Sequence, residues 1–375
     1  MGTLNGLTVL ELAGIGPGPF CAMLLADMGA RVIRIDRPEG PPGARDDVVL
    51  RGRRSLVLDL KNPAAIEAVK RMSLQADALI EGFRPGVIER LGLGPETLLE
   101  ANPRLIYGRM TGWGQAGPLA KRAGHDINYI ALTGALHAIG TSDRPPPPPL
   151  NLIGDYGGGG ILLALGVLGA LIERNQSGRG QVVDAAMVDG AALLMAPIYG
   201  MLARGRWTPE RGVNFLDGTA SFYGSYACAC GGYVAVGPIE PAFFAEMLER
   251  LGLDASDFDN RMDPAIWPTH KARLAEAFLS RTRDAWAAIF ADSDGCVTPI
   301  LSMAEAPSHP HVAARETFVT AHGAVQPAPA PRFSRTPSAI GAAPPLRGEH
   351  GAEILAEFAF SAEEIESLTT ASKPQ

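Results

Sequence analysis

Over its first third the chain alternates short apolar runs with stretches of helical period, a rhythm that predicts an open, mostly parallel sheet flanked by helices. Residues 7–12 read as a strand, 20–28 as a helix and 31–36 as the next strand. Residues 56–60 read as a third strand, and Pro63 stands at a plausible first helical position for a helix to about residue 74. Further strands are expected at 78–81 and through Leu105, Ile106, Tyr107, Arg109 and Met110. Such sheets bind ligands outside the carboxyl ends of their strands, so the loops at that edge are the first place to look for chemistry.

A chain of 375 residues exceeds what one hydrophobic core usually organises, so two lobes are expected. The 44 glycines and 31 prolines stand well above the usual combined share of roughly 12% and imply many turns and close backbone approaches. The reading is an α/β protein. A Rossmann-like open parallel-sheet domain occupies residues 1–204 and a smaller mixed α/β domain 205–315. A proline-rich return arm and C-terminal helices, 316–375, rejoin the large domain. Pro145, Pro146, Pro147, Pro148 and Pro149 form a stiff extended spacer leading to Asn151 and Asp155. A helix is expected from Ile161 to about Glu173, a strand at 182–185, and a buried helix over 186–201 broken near Pro197. Residues 326–346 read as an extended arm, followed by helices at 352–358 and from Ser361.

The formal net charge of -7 argues against a nucleic-acid platform. Cys21, Cys228, Cys230 and Cys296 suit neither a disulfide framework nor a zinc tetrahedron, and read as thiols of a reducing compartment. Residues 1–7 lack a basic region followed by an apolar run, and Ser372, Lys373, Pro374 and Gln375 do not match a peroxisomal address. The apolar run 161–172 falls short of the roughly 20 residues that span a bilayer. A cytoplasmic protein without a membrane partner is expected.

Two motifs carry the chemistry: Gly124-His125-Asp126-Ile127-Asn128-Tyr129, and Asn151-Leu152-Ile153-Gly154-Asp155-Tyr156 running into Gly157, Gly158, Gly159 and Gly160. An imidazole and a carboxylate delivered from separate loops suit a reaction in which a proton leaves one face of a carbon and arrives on the other. Backbone N–H groups around Asp155 and the glycine run could meet a developing oxyanion. The structural alternatives are a helix N-cap for Asp155, a hydrogen-bonding core residue for His125, and a turn or cap for Asp126. Asn128 and Asn151 read as orienting amides. Met187, Met195 and Met201 read as core.

Gly14-Ile15-Gly16-Pro17-Gly18-Pro19 follows a strand and precedes a helix, as a dinucleotide fingerprint does, but Pro17 and Pro19 remove two N–H donors. A tight strand-to-helix turn is the better reading. Arg37, Lys61, Arg84 and Arg90 follow successive strands and, gathered at one edge, suit a polyphosphate. Arg51, Arg53 and Arg54 either reinforce that patch or solvate a loop. Gly-x-Ser-x-Gly, His-Glu-x-x-His and a Walker loop are absent, which removes the readings that rest on them.

Through nearly its whole length the chain resembles the family III CoA-transferase superfamily. The likeness is carried by the segments at 9–19, 32–38, 59–61, 81–87, 110–115, 124–129 and 178–185 and by Glu353-Ile354-Leu355. The resemblance implies a CoA-binding fold and an interlocked homodimer, with CoA as part of the substrate and no other cofactor or metal. It implies CoA along Arg37, Leu58, Asp59, Leu60, Lys61, Gly82, Phe83, Arg84 and Arg90. The thioester would lie near Gly124, Asp126, Ile127, Asn128, Tyr129, Gly154, Tyr156, Gly157, Gly158 and Gly159. Transferases of the superfamily use the carboxylate matching Asp155 as a nucleophile and generally lack the His125 motif, whereas its racemase branch carries both. By that likeness His125 and Asp155 serve opposite faces of the α-carbon of a 2-methylacyl-CoA, Glu240 orients His125, and Asn151 supports Asp155. A transferase and a non-catalytic acyl-CoA-binding protein are the competing readings. Cys228-Ala229-Cys230 has no task in any of them.

Overall fold

The computed structural model describes residues 2–371; Met1 and the four C-terminal residues Ser372, Lys373, Pro374 and Gln375 lie outside the described residues. The chain divides into two units. The first comprises Met1–Thr133, Pro149–Leu194 and His311–Gln375, the second Gly134–Pro148 and Met195–Pro310. The division differs from the expected boundaries. Residues 134–148 and 195–204, read as part of the large domain, group with the second unit, and the return to the first begins at 311. The proline run is itself a crossing between units and carries neither helix nor strand.

The first unit runs β1 (Thr8–Leu12), α1 (Pro17–Asp27), β2 (Arg31–Asp36), β3 (Arg53–Val57), α2 (Pro63–Ser73), β4 (Ala78–Glu81), α3 (Val87–Arg90), α4 (Pro95–Ala101), β5 (Ile106–Thr111) and α5 (Asp126–Ala131). A π-helical segment (Leu152–Ile161) then continues as α6 (Leu162–Ser177), followed by β6 (Val182–Ala186) and α7 (Met187–Leu194). The six strands form a sheet of order β3-β2-β1-β4-β5-β6, with every pairing parallel. β4 and β5 are buried throughout, as expected of strands covered on both faces. Alternation along the strands feeds two cores. Val9, Val32, Ile80 and Ile106 pack with Leu25 of α1 and Leu163 and Val167 of α6. Leu10, Ile33 and Leu79 pack with Val69 and Met72 of α2 and, from the C-terminal helices, Ile354 and Leu355. The strand order reverses between β1 and β4, which puts the ligand crevice of such a sheet there.

β3 departs from its expected position, starting at Arg53 rather than Leu56 and ending before Leu58. Arg53 is wholly buried inside the sheet because Glu11 of β1 neutralises it, Nε donating to Oε2 at 2.9 Å. Arg51, equally buried, is bidentate to Asp27, at 3.0 and 2.5 Å. Arg54 pairs with Glu353 and Glu357. None of the three solvates a loop or adds to a phosphate patch.

The helix expected from Ile161 begins at Leu152, so one continuous helical stretch of 26 residues, Leu152–Ser177, is long and apolar enough by length and composition to cross a membrane, contrary to the sequence expectation. Within the unit it packs against α1, α7, β5 and β6. The helix expected over 186–201 is two, breaking at Met195.

In the second unit α8 (Ala196–Ala203) precedes a three-stranded antiparallel sheet of β7 (Gly224–Ala227), β8 (Tyr233–Val236) and β9 (Val297–Pro299), with α9 (Pro241–Leu251), α10 (Trp267–Leu279) and α11 (Arg283–Phe290) inserted between the last two strands. Its core is aromatic, built on Phe222, Tyr226, Phe244, Trp267, Phe278 and Trp286. After α12 (Pro310–Ala314), a hairpin of β10 (Phe318–Ala321) and β11 (Ala324–Pro327) leads into an extended segment without helix or strand. That segment bonds along the first unit: the Ala339 N–H donates to Asp27 O at 3.0 Å, and the Arg347 N–H to Pro42 O at 2.7 Å. α13 (Gly351–Glu357) and α14 (Ala362–Ala371) then close the core on the β3 side.

Candidate active site

The loop after β5 delivers His125 by packing around glycines. Tyr129 sets its ring edge-on against Trp113, centroids 4.7 Å apart, and donates its hydroxyl to the Gly124 carbonyl. A methyl group at Gly112 would lie 2.1 Å from that ring, and one at Gly124 2.8 Å, so neither position tolerates a side chain. His125 is the N-cap of α5, with extended backbone and an exposed ring. Its N–H donates to Asn128 Oδ1 at 3.0 Å while the Asn128 N–H donates to the His125 carbonyl at 2.8 Å, a reciprocal bracket that fixes the entry into the helix.

The next residue, Asp126, is buried and joins the two motifs. Its Oδ2 accepts the N–H of Gly154 at 2.6 Å and the N–H of Asp155 at 2.8 Å. A methyl group at Gly154 would lie 2.6 Å from the same oxygen, which accounts for the glycine. Asp155 is half-buried inside the π-helical segment, so the N-cap alternative fails; Asn151 holds the N-cap position, and its Nδ2 donates to Asp155 Oδ2 at 3.0 Å. Burial raises the Asp155 carboxyl above its ordinary value; the Asn151 amide opposes the rise, the Asp126 charge adds to it, and the nearby His125 opposes it. On its other side the carboxylate rests against Gly16, where a methyl group would be 3.3 Å from Oδ2. The turn after β1, featureless in the sequence beyond its glycines and prolines, is therefore part of the site.

Two of the amides beside the glycine run are already occupied. The N–H groups of Gly154 and Asp155 are taken by Asp126. Gly158 is buried against α7, where a methyl group on Gly190 would sit 1.8 Å from its carbonyl oxygen. Gly159 and Gly160 are buried against Pro17 and Phe20 of α1. Gly157, half-buried, lies between Leu152 and Leu194. Gly158 and Gly159, expected near the thioester, let three helical segments approach closely.

The loop cations stand where the sequence puts them. Arg37 after β2, Lys61 after β3 and Arg84 after β4 are exposed at the ends of parallel strands, and Arg90, which closes α3, is exposed too. Lys61 is 3.9 Å from Glu39, both 83% exposed, a pairing too solvated to hold it from a ligand. Arg84 is near enough to act on the Tyr129 hydroxyl. The Leu58 side chain is core and its N–H donates to the Asp36 carbonyl at 3.0 Å. Asp59 accepts from the Lys61 N–H at 3.0 Å, and Leu60 is partly covered. Gly82, Ile127 and Asn128 are exposed, while the Tyr156 ring packs tilted against Phe20, centroids 4.8 Å apart. Glu240 belongs to the second unit, exposed at the N-cap of α9, its carbonyl accepting the Phe244 N–H at 3.0 Å.

Reading the sequence missed a charged group beneath the Gly82–Arg84 loop. Glu81, the last residue of β4, is buried; its Oε2 accepts the Phe83 N–H at 2.7 Å and its Oε1 accepts Arg109 Nε at 2.9 Å, while Arg109 also pairs with Glu89 at 2.8 Å. Burial pushes the Glu81 carboxyl up to about 7 against the pull of the Phe83 N–H and Arg109. A Glu and an Arg at buried positions of adjacent strands was the available signal.

An open parallel sheet with cations at its carboxyl edge, and a His–Asp pair across two loops, define the class: the chain belongs to the CoA-transferase family III, matched over residues 4–351. Within that family it is 48% identical over 367 residues to the Alpha-methylacyl-CoA racemase of Mus musculus, covering 97% of this chain and 96% of the relative. It is 47% identical over 371 residues to the Homo sapiens protein of the same name, covering 98% and 96%. Among solved structures, a CAIB/BAIF family protein from Brucella suis superimposes with a TM-score of 0.80 at 30% identity, covering 95% of this chain and 99% of that one. The family resemblance and fold class read from the sequence are borne out.

Proposed function

We propose that the chain is a racemase that interconverts (2R)- and (2S)-2-methylacyl-CoA thioesters by moving the α-proton between His125 and Asp155. The observation that carries this is the Asp126 carboxylate, which follows His125 in the chain and grips the backbone of Asp155, setting an imidazole and a carboxyl in fixed relation. The two curated relatives described above bear the name of that activity.

In one direction neutral His125 takes the proton and protonated Asp155 returns one to the opposite face; in the other the roles exchange. The raised Asp155 carboxyl suits this, because a carboxyl of ordinary pKa would hold too little of its acid form near neutrality. Each positioned acid or base contributes a factor of about 10² to 10⁴. Once protonated, His125 adds a positive charge as the enolate develops. Arg37, Lys61, Arg84 and Arg90 would hold the CoA phosphates, with Gly82 and Phe83 beside them. No cofactor beyond the substrate's own CoA is proposed.

The protein would work as an interlocked homodimer. Ile161, Leu165 and Ile172, 52%, 63% and 64% exposed, stripe one side of the long helix and suit burial by a second copy. The four free cysteines fit a cytoplasmic location.

The test is α-proton exchange from D₂O into each enantiomer of a simple 2-methylacyl-CoA, with a free carboxylate present. Exchange with both enantiomers, lost in His125→Ala, supports the racemase. Transfer of CoA to the carboxylate without exchange would establish the family's other chemistry, with Asp155 as nucleophile. Tight CoA binding with neither outcome would leave a non-catalytic binding protein.

A further inference from the structure

We infer that Glu11, Arg34 and Arg53 form a buried clamp that positions Asp155, by fixing the turn and the first helical turn against which its carboxylate rests. The inference rests on the reading of Asp155 as a proton-transfer group. Glu11 is nearly inaccessible in β1 and divides its carboxylate between two arginines: Oε1 accepts Arg34 Nη1 at 2.5 Å and Oε2 accepts Arg53 Nε at 2.9 Å. Each arginine then reaches a carbonyl on one side of Gly16. Arg34 Nη2 donates to Gly14 O at 3.3 Å, and Arg53 Nη2 donates to Pro19 O. Asp36 steadies Arg34 through Nε at 3.0 Å, and Ser55 Oγ donates to Asp36 at 2.7 Å.

The held segment meets the Asp155 segment at three places. Gly16, at φ +68°, faces Asp155 Oδ2; Pro17 touches Gly159 and Gly160; and the Phe20 ring lies on Tyr156. Pro17 and Pro19 have no N–H, so the turn has few amides of its own with which to fix its shape. The guanidinium groups do this from below. A buried Arg–Glu–Arg triad is a poor source of net stability, since apolar residues of the same volume often serve as well or better. What it supplies is directed geometry. Asp126 grips the Asp155 backbone on one side, and the clamp sets the surface on the other.

The far end of α1 supplies a control. Asp27 and Arg51 are an equally buried, bidentate pair remote from Gly16. Glu11→Gln and Asp27→Asn should both lower the melting temperature. Glu11→Gln alone should lower kcat by about tenfold or more with KM within about threefold, the mark of a misplaced reacting group. It should also move the Asp155 titration down by about half a unit or more as water reaches the loosened turn. That titration is read by carbon-13 NMR of labelled aspartate, assigned with Asp155→Asn, so it does not depend on activity. Arg34→Lys, which keeps the charge but loses the fork, should give an intermediate shift, and it carries the test if Glu11→Gln fails to fold. Equal effects of Glu11→Gln and Asp27→Asn on kcat, or an unchanged Asp155 titration, would overturn the clamp. If Asp155→Asn still racemises, the catalytic reading falls while the titration still decides the positioning.

Discussion

Asp126 Oδ2 accepts the backbone N–H of Asp155 at 2.8 Å, so the residue that follows His125 holds the main chain of Asp155. Any change at Asp126 should therefore act on both groups at once. Asp126→Ala leaves the Gly154 and Asp155 N–H groups without their acceptor and frees the segment; kcat should fall by about 10²-fold, the cost of a displacement near 1 Å. Asp126→Asn keeps one acceptor oxygen and should lose less. Steady-state racemisation of both enantiomers checks this, and a change confined to KM would refute it.

Asn151 donates to the charged form of Asp155, at 3.0 Å. Asn151→Ala removes that support and should raise the Asp155 pKa further. The sign is the same in both directions of reaction. Where Asp155 is the acid, activity persists to higher pH; where it is the base, activity appears only at higher pH. Paired pH–rate profiles from the two enantiomers should each move upward.

Burial pushes the folded Glu81 carboxyl up to about 7, against an ordinary value of 4.5. The native state thus binds the proton more tightly than the unfolded chain, and Glu81's contribution is fully present below about 4.5 and lost as pH rises through about 7. Urea unfolding of the wild type should show a falling contribution of about 1–3 kcal/mol across that window. Glu81→Gln should flatten it. An unchanged slope would mean that Arg109 keeps Glu81 ionised throughout.

Lys61 and Arg37 are exposed after β3 and β2. Replacing either with Ala should raise KM for an acyl-CoA several-fold, leave kcat within about twofold, and reduce the salt dependence of kcat/KM, as loss of uniform binding does. Kinetics at two ionic strengths decide it.

The sheet was legible in the sequence because parallel strands buried on both faces read as plain apolar runs: β2 and β4 fall on the expected residues. β3 was not, because Arg51 and Arg53 look like solvated charge until Asp27 and Glu11, far away in sequence, are seen to neutralise them. His125 and Asp155 stood out in the sequence, and so did Asn151 as a support for Asp155, but the link between the two motifs did not, since Asp126 carries the same signature as a turn residue. The glycine run was ambiguous for a related reason: an absent side chain marks equally an amide offered to a ligand and a place where another backbone must pass. Only Gly190, more than thirty residues on, shows that packing is the reason at Gly158.

The chain passes between its units at 133/134, 148/149, 194/195 and 310/311. Neither unit is therefore a single stretch of sequence. No one cut can release the sheet-bearing unit for study or fusion, and a gene fragment ending at any of the first three passages encodes an unfinished sheet or lacks the helices that close its core. The hairpin and helices that complete the first unit follow the second unit in the chain, so the site around Asp155 cannot be assembled on its full scaffold until translation has passed through the second unit.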